Sequence, residues 1–447
     1  MAKLTGIEIY KHLPKTNCGD CNFPTCMAFA MQVAAKKVGL EQCPHVSAEA
    51  KAALSEAQAP PMRTVTLGTG DRALKLGGET VLFRHEEKFH HPTVIAICVQ
   101  DDLSEDKLAQ RIEKINQLQF VRVGQLIGVN AIAVEHTAGE TSRFAQTVKL
   151  VAERSPLALV LSSTDSQALK AALEICAERR PLLCAATKEN FKEFAALAKE
   201  AQCPLAVRAA TLEELAELTQ QVKALGVEDL VLQPEISGLA DGLAKLTQLR
   251  RLALEKNFRA VGYPVMVSVT SSDPFLETAY AAMFVCKYAS LIVLNGAERW
   301  QVLPILTVRQ NIFTDPQVPN AVEAKLYKVG EPGPHSPVLV TTNFALTYFT
   351  VESEVENSRV PSYIAVVDTG GLGVLNAYAD DKLTAEAIVK AVKTYGVMEQ
   401  VAHKKLIIPG LVAVLKGEIE ELGGWEVLVG PEEAAGIPAY LRNEWKG

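Results

Sequence analysis

From residue 93 onward the chain repeats one unit, a short apolar run followed by a longer amphipathic stretch. The runs are Val94–Val99, Ala131–Glu135, Leu157–Leu161, Leu182–Ala186, Leu205–Arg208, Asp229–Gln233, Val265–Val269 and Leu291–Leu294. Stretches of helical period, such as Thr211–Leu225 and Ser237–Glu255, separate nearly all of them. Strands this uniformly apolar must be covered on both faces, which helices joining parallel strands accomplish. Eight such units over about 220 residues predict a (β/α)8 TIM barrel. A doubly wound open sheet is the alternative, and the short runs at Ala131 and Leu157 decide the count. A chain 48% hydrophobic but only 6% aromatic suits repeated strand–helix units built from small aliphatic residues.

The barrel accounts for residues 93–315 and leaves a zone on either side. Residues 1–57 carry a cysteine cluster. Residues 58–92 read as a stiff linker, Gln58-Ala-Pro-Pro-Met62, followed by a β-hairpin region with strands at Arg63–Leu67 and Ala73–Phe83 around glycine turns, of which Gly77-Gly78 is the better hairpin signal. After the proline-rich stretch Asp315-Pro-Gln-Val-Pro319 the pattern restarts. Residues 316–447 predict a separate Rossmann-like α/β domain with strands at Val338–Thr341, Ile364–Val367, Lys405–Ile408 and Glu426–Val429, and a helix at Thr384–Tyr395. The acidic run Glu352–Glu356 reads as a solvated helix face or loop.

Charge narrows the partners. Lys and Arg total 45 against 52 Asp and Glu, a net charge of −7. Such a chain has no general attraction for nucleic acid or an anionic membrane. The start of the sequence lacks the apolar core of a signal peptide, and the greasy region Thr278–Leu294 is broken by Lys287. The expectation is a cytoplasmic, soluble protein.

In a reducing cytoplasm clustered cysteines mean metal or redox chemistry rather than disulfides. Four of the nine fall in Cys18-Gly-Asp-Cys21-Asn-Phe-Pro-Thr-Cys26 and Cys43-Pro44, a C-x2-C-x4-C-x16-C-P spacing. Four thiolates from one short stretch can hold a [4Fe–4S] cube, one on each iron. Gly19 allows the turn between the first two, and Cys26 stands near the start of a helix reading to about Lys37, where free N–H groups favour anionic sulfur. A four-cysteine zinc site is the alternative, but zinc usually takes two short C-x2–4-C pairs and here the last cysteine is isolated. The other five, Cys98, Cys176, Cys184, Cys203 and Cys286, read as small buried hydrophobes.

The opening Leu4-Thr-Gly-Ile-Glu-Ile-Tyr-Lys-His-Leu-Pro-Lys-Thr-Asn-Cys-Gly-Asp-Cys, the cluster spacing and the three-zone layout resemble one family across the whole chain. It is the large (gamma) subunits of the corrinoid iron–sulfur proteins of the reductive acetyl-CoA (Wood–Ljungdahl) pathway. The resemblance implies a [4Fe–4S] domain, a TIM barrel and a C-terminal corrinoid-binding α/β domain. It also implies a methyl carrier, part of a methyltransferase system rather than a stand-alone enzyme. A cobamide cobalt, as Co(I), would accept a methyl group from methyltetrahydrofolate through a separate methyltransferase and deliver it to acetyl-CoA synthase/CO dehydrogenase. A small subunit would complete a heterodimer. Carried over residue by residue, the cluster ligands are Cys18, Cys21, Cys26 and Cys43. The corrinoid contacts are Thr341, Thr342, Asn343, Leu346, Thr347, Thr369, Gly370, Gly371, Leu372, Gly373, Gly430, Pro431 and Glu433.

The C-terminal residues make chemical sense without the resemblance. Open α/β sheets bind ligands beyond the carboxyl ends of their strands. Thr341-Thr-Asn343 ends one strand with hydroxyls and an amide, and Asp368-Thr-Gly-Gly-Leu-Gly373 lets backbone come close to a flat ring. Position 376 is Asn, so no G-x-G-x-x-G dinucleotide fingerprint is present, and a glycine turn without a ligand is the plain alternative. No Asp-x-His-x-x-Gly occurs, and His335 and His403 read as surface or loop residues. A bound corrinoid is therefore expected base-off, without a protein histidine on cobalt. Losing that donor makes Co(I) more accessible, and the cluster would return the electron lost on oxidation to Co(II).

Polar barrel strand ends supply further candidates, since catalytic barrel residues belong there. They are Gln100-Asp-Asp102, Glu135-His136, Ser162-Ser-Thr-Asp165, Thr270-Ser-Ser-Asp273 and Asn295. No acid, base and nucleophile stand together, so the barrel reads as a scaffold or docking element. Two other functions fit the residues less well: an iron–sulfur electron-transfer or corrinoid-activating protein without a stable corrinoid, and a barrel methyltransferase with a structural cluster.

Overall fold

The computed structural model describes residues 5–35, 37–47, 50, 60–269 and 271–446. Gln58 and Ala59 of the linker, and Thr270, lie outside the described residues. The chain divides into two compact units. The first comprises the described residues up to Phe120 together with Ile127–Phe313, and the second holds Thr314 onward with Val121–Leu126.

The first unit begins with the cysteine module, helices Gly6–Lys11 and Cys26–Ala34 packed around Ile9, Leu13, Phe29 and Val33. The helix that starts at Cys26 ends at Ala34, short of the Lys37 expected from its period. Next comes the antiparallel hairpin β1 (Thr64–Leu67) and β2 (Leu74–Gly77). The turn of this hairpin lies between Leu67 and Leu74 rather than at Gly77-Gly78, and the second strand stops at Gly77 instead of continuing to Phe83. Gly77 and Gly78 have φ of 75° and 71°, which turns the chain out of the extended region.

All eight predicted barrel strands form: β3 (Val94–Gln100), β6 (Ala131–Glu135), β7 (Ala158–Ser162), β8 (Leu182–Ala186), β9 (Leu205–Ala209), β10 (Leu230–Pro234), β11 (Met266–Val269) and β12 (Leu291–Leu294). Neighbours pair in parallel in the order β10-β9-β8-β7-β6-β3-β12-β11. A parallel bridge between Leu232 and Val265, with Leu232 N donating to Pro264 O at 2.8 Å, joins β10 to the start of β11 and closes the ring. A short antiparallel pair, β4 (Gln119–Arg122) and β5 (Gln125–Gly128), interrupts the pattern before β6 and has no counterpart in the sequence reading.

Alternation along each strand sorts the core. Ile95, Ile97 and Val99 pack with the surrounding helices, while Val94 and Ala96 pack with the barrel interior. That interior is rich in small residues, including Ala131, Ala133, Ala158 and Ala206. Barrels of this kind usually fill the interior with bulky aliphatics. Here Val65, Leu67 and Leu76 of the hairpin join the interior cluster and supply the missing bulk. The hairpin sits at the amino ends of the strands: Arg63 N donates to Gly262 O at 2.8 Å, Gly68 N to Arg180 O at 3.1 Å, and Arg180 Nη1 to Thr66 O at 2.8 Å.

The second unit is a five-stranded sheet ordered β13-β15-β14-β16-β17. Its strands are β13 (Leu326–Val329), β14 (Val338–Thr342), β15 (Ser362–Val367), β16 (Lys405–Ile408) and β17 (Glu426–Val429). The four expected strands are parallel, and β13 adds an antiparallel edge that sequence reading missed. Helix Ala345–Ser358 contains the acidic run, with Val355 fully buried on its inner face. The order places β14 between β15 and β16, so the connections leaving β14 and entering β16 cover opposite faces. That is the topological switch at which open sheets form a crevice. β14 and β16 pair in parallel, in register at Leu339–Ile407.

Candidate functional site

The first candidate is the cysteine module. Its loop is built from left-handed residues: φ is 59° at Lys15, 50° at Asn17, 82° at Gly19 and 63° at Asn22. Asn22 N donates to Gly19 O at 2.9 Å, closing the turn between Cys18 and Cys21. Thr25 caps the following helix by accepting from Ala28 N at 3.1 Å. Asn17 Oδ1 accepts from Cys26 N at 2.8 Å, which fixes the loop to the helix start. Gln42 Nε2 donates to Cys21 O at 3.0 Å and draws in the segment bearing Cys43.

The result is that Cys21, Cys26 and Cys43 are buried in one cluster with Phe29 and Val46, while Cys18 is exposed at its edge. All four are free thiols. Beside them, ligand atoms of Cys18, Asp20 and His45 lie within 4.8 Å of one another. His45 Nε2 stands 2.6 Å from Asp20 Oδ2. Hydrogen bonds from His45, then Cys18, hold the Asp20 carboxyl below its usual range.

The second candidate is a cleft of about 500 Å³ over the switch between β14 and β16. Its floor is Leu339, Thr341, Ile407 and Ile408, and its walls are the loops after the four parallel strands. Of the residues singled out in the sequence, Thr341, Leu346, Thr347, Gly373, Gly430 and Pro431 line it. Thr341 is 1% exposed and its Oγ1 has no hydrogen-bond partner in the protein. A buried hydroxyl left unpaired is costly, so its place at the cleft floor suits a ligand that bonds there. Leu346, Leu375 and Leu411 line the cleft yet are 49%, 53% and 40% exposed, an apolar rim suited to the face of a large ring.

The remaining expected contacts stand behind the lining. Asn343 Oδ1 accepts from Thr369 N, Thr369 Oγ1 and Gly371 N at 3.0, 3.0 and 2.9 Å. Its Nδ2 donates to Asp368 Oδ1 at 2.9 Å. Asn343 therefore clamps the glycine loop in shape, and Gly370 and Gly371, with φ of 66° and 77°, let that loop turn. Leu372 O, 2.9 Å from Thr369 Oγ1, is the alternative acceptor for that hydroxyl's single proton. Thr342, Asn343, Thr369, Gly370, Gly371 and Leu372 thus shape the wall without lining it, and Thr342 Oγ1 is itself buried and unpaired. On the last loop Glu432 lines the cleft in place of Glu433.

Sequence reading missed the contribution of the β16 loop, Pro409 and Leu411, and of Asn376. Gly410 was the available signal: a Cβ there would meet Gly430 O at 2.7 Å and Glu432 N at 2.8 Å, so the two loops touch backbone to backbone. His403 lies before β16, its Nε2 2.9 Å from Ser336 O and its Nδ1 accepting from Lys405 N at 3.2 Å. His335 precedes β14. Both occupy the amino ends of strands whose carboxyl ends form the cleft.

The barrel candidates brace loops. Asp101 is fully buried, its Oδ1 accepting from Thr137 N at 2.8 Å, Thr137 Oγ1 at 2.9 Å and Ala138 N at 2.8 Å. His136 Nδ1 lies 2.9 Å from Ser163 Oγ. Asp165 and Asp273 cap helices through Gln167 N at 2.9 Å and Phe275 N at 2.8 Å. Asn295 N donates at 2.7 Å to Glu277, a buried carboxylate the sequence did not single out. Glu135 accepts from Cys98 Sγ at 3.5 Å and Gln100 Nε2 at 3.4 Å. Burial, then the Glu135 charge, push the Cys98 thiol up to about 12, far from a reactive thiolate.

Comparison with known proteins follows the same division. A family profile described as CO dehydrogenase/acetyl-CoA synthase delta subunit matches residues 64–441, and one for an Fe-S cluster segment matches residues 13–45. The corrinoid/iron-sulfur protein large subunit of Moorella thermoacetica is 50% identical over 98% of each chain. The acetyl-CoA decarbonylase/synthase complex gamma subunits of Methanothermobacter thermautotrophicus and Archaeoglobus fulgidus are each 37% identical, again over 98% of both chains. With its barrel, its cysteine module and its C-terminal sheet all inside these matches, the chain belongs to the family of corrinoid/iron–sulfur protein large subunits and acetyl-CoA decarbonylase/synthase gamma subunits.

Proposed function

We propose that the chain is a methyl-group carrier subunit with a corrinoid in the C-terminal cleft and a [4Fe–4S] cluster on Cys18, Cys21, Cys26 and Cys43. The observation that carries this reading is the cleft at the β14/β16 switch, with the unpaired Thr341 hydroxyl on its floor and an apolar rim. The corrinoid supplies a cobalt centre able to hold a methyl group, and the cluster supplies the electron that keeps the cobalt active.

The protein's own residues do the positioning. Leu346, Leu375 and Leu411 cover apolar ring surface, and Thr341 and Thr347 offer hydroxyls to the ring's amide side chains. Asn343 holds the Asp368–Gly373 loop in the shape the ring requires. His335 and His403 stand at the far ends of the strands, which supports a base-off cobalt without protein imidazole. The domains then divide as 1–57 for the cluster, 58–92 for the linker and hairpin, 93–315 for the barrel and 316–447 for the corrinoid.

At the barrel's polar strand ends Asp101, Asp165 and Asp273 brace loops and helix starts, which supports a scaffold and docking role for it. Methyl chemistry therefore needs partners: a methyltetrahydrofolate methyltransferase as donor, acetyl-CoA synthase/CO dehydrogenase as acceptor, and a small subunit completing a heterodimer. The setting is the cytoplasm. No helix among the described residues is long and apolar enough to cross a membrane.

The test separates the two cofactors. Cys18→Ala should impair reductive reactivation of oxidised protein while methyl transfer from already methylated protein stays near wild type. Equal loss of both activities in a folded variant would remove the repair role from the account.

A further inference from the structure

We propose that a second cleft, at the amino-terminal end of the barrel, binds a small phosphate-bearing anion. The cleft measures about 420 Å³, the size range of small-ligand pockets. Three arginines from separate segments line it: the exposed Arg72 beside β2, the exposed Arg154 at the end of helix Thr141–Arg154, and the half-buried Arg179 before β8. Gly68 and Thr69 of the hairpin loop and Ser155 to Ala158 complete the wall.

Part of this charge has a structural explanation. Arg179 Nη1 donates to Ala152 O at 2.8 Å and its Nη2 to Leu157 O, satisfying carbonyls at and beyond the helix end. Arg154 sits in the last helical turn, where a cation offsets about half a negative charge of helix dipole. That half charge is too small to balance three guanidiniums. The carboxylate in the lining, Glu153, already faces Lys149 at 4.0 Å. Neither Arg72 nor Arg154 has a side-chain partner among the described residues. Burial, with the Arg72 cation acting in the same direction, holds the Arg179 guanidinium below its usual value. Cations gathered in a concave site of a chain with net charge −7 concentrate positive potential where the rest of the protein would not.

A phosphate group matches this donor set, because guanidiniums bind its oxygens through paired N–H bonds. The anion would bridge Arg72 of the hairpin to Arg154 of the barrel and so tie the plug to the barrel it fills. Barrel chemistry belongs at the opposite, carboxyl end. The ligand is accordingly a stabilising or regulatory one, independent of the corrinoid cleft and the cluster.

Anaerobic calorimetric titration of the full chain with inorganic pyrophosphate, beside a nucleoside diphosphate, tests this. One saturable site is expected, with affinity about tenfold weaker in Arg72→Gln and in Arg154→Gln, and weaker again in the double variant. Pyrophosphate should raise the melting temperature of the wild type more than that of the double variant. Tighter binding of the nucleotide identifies an organic phosphate as occupant, and equal binding identifies the bare anion. Absence of saturation up to about 10 mM, or affinity unchanged in both variants with native melting temperatures, overturns the proposal.

Discussion

On the proposed function, the cysteine module and the C-terminal cleft solve the same problem, holding a redox-active group, by opposite means. In the module all the chemistry lies between Cys18 and Cys43, and three of the four thiols meet in a single small hydrophobic cluster. In the cleft the lining comes from loops spread between Leu339 and Ile437, brought together by the crossing of the sheet at β14 and β16. A cluster needs thiolates within bonding distance of a compact cube, so its ligands leave a spacing in the sequence. A broad ring needs shape, apolar area and scattered polar groups, none of which demands a particular residue at a particular interval. Local chemistry is legible one residue at a time, whereas a topological site is legible only through the fold.

The contrast can be broken experimentally, and the largest expected effect comes first. Cys26→Ala should abolish the intact cube, seen as loss of iron and of the cluster's electron paramagnetic resonance signal, while bound corrinoid stays near wild type. Parallel loss of corrinoid would show that the two regions are not independent. In the cleft, Asn343→Ala removes the acceptor of three donors and strands the buried Thr369 and Gly371 amides. A destabilisation of about 3 kcal/mol is expected by denaturant titration, with weakened corrinoid retention.

Two glycines sharpen the point about shape. Gly410→Ala forces a methyl against the backbone of the β17 loop and should cost about 1–3 kcal/mol. Gly373 meets nothing closer than Phe344 Cδ1 at 3.6 Å but is the N-cap of helix Val374–Ala379, where alanine is much poorer than glycine, so Gly373→Ala should cost about 0.5–1 kcal/mol of apoprotein stability by denaturant titration. The smallest effect belongs to Thr341→Val. Its hydroxyl has no protein partner, so apoprotein stability should hold or rise slightly while corrinoid binding weakens by about 1 kcal/mol. An apoprotein loss as large as that of Asn343→Ala would assign Thr341 a structural role instead.

Much of the fold was written in period alone. Ala131–Glu135, Leu182–Ala186 and Leu291–Leu294 form strands with the bounds read from their apolar runs. A parallel strand buried on both faces leaves few other readings for such a run. The elements that escaped are those whose residues are half exposed. Gln119–Arg122, Gln125–Gly128 and Leu326–Val329 lie at sheet margins, and their mixed burial leaves no continuous apolar signal. At the sites, the cysteines were legible from spacing. In the cleft, the strand-end residues read from the sequence divide between lining and support, and sequence could not tell Thr341, which lines the floor, from Asn343, which holds the wall. The difference is one of side-chain direction at the end of a strand, and direction is set by the partners each group finds.

On the proposed function one chain carries both a four-iron cluster and a corrinoid. The most direct test is anaerobic metal analysis with electron paramagnetic resonance on protein isolated from its native host together with its partner. The account predicts about four irons and one cobalt per chain, as one cube and one corrinoid require, with a base-off Co(II) spectrum. Iron without cobalt, persisting after an attempt to reload the corrinoid, would contradict it and leave an iron–sulfur electron-transfer protein in its place.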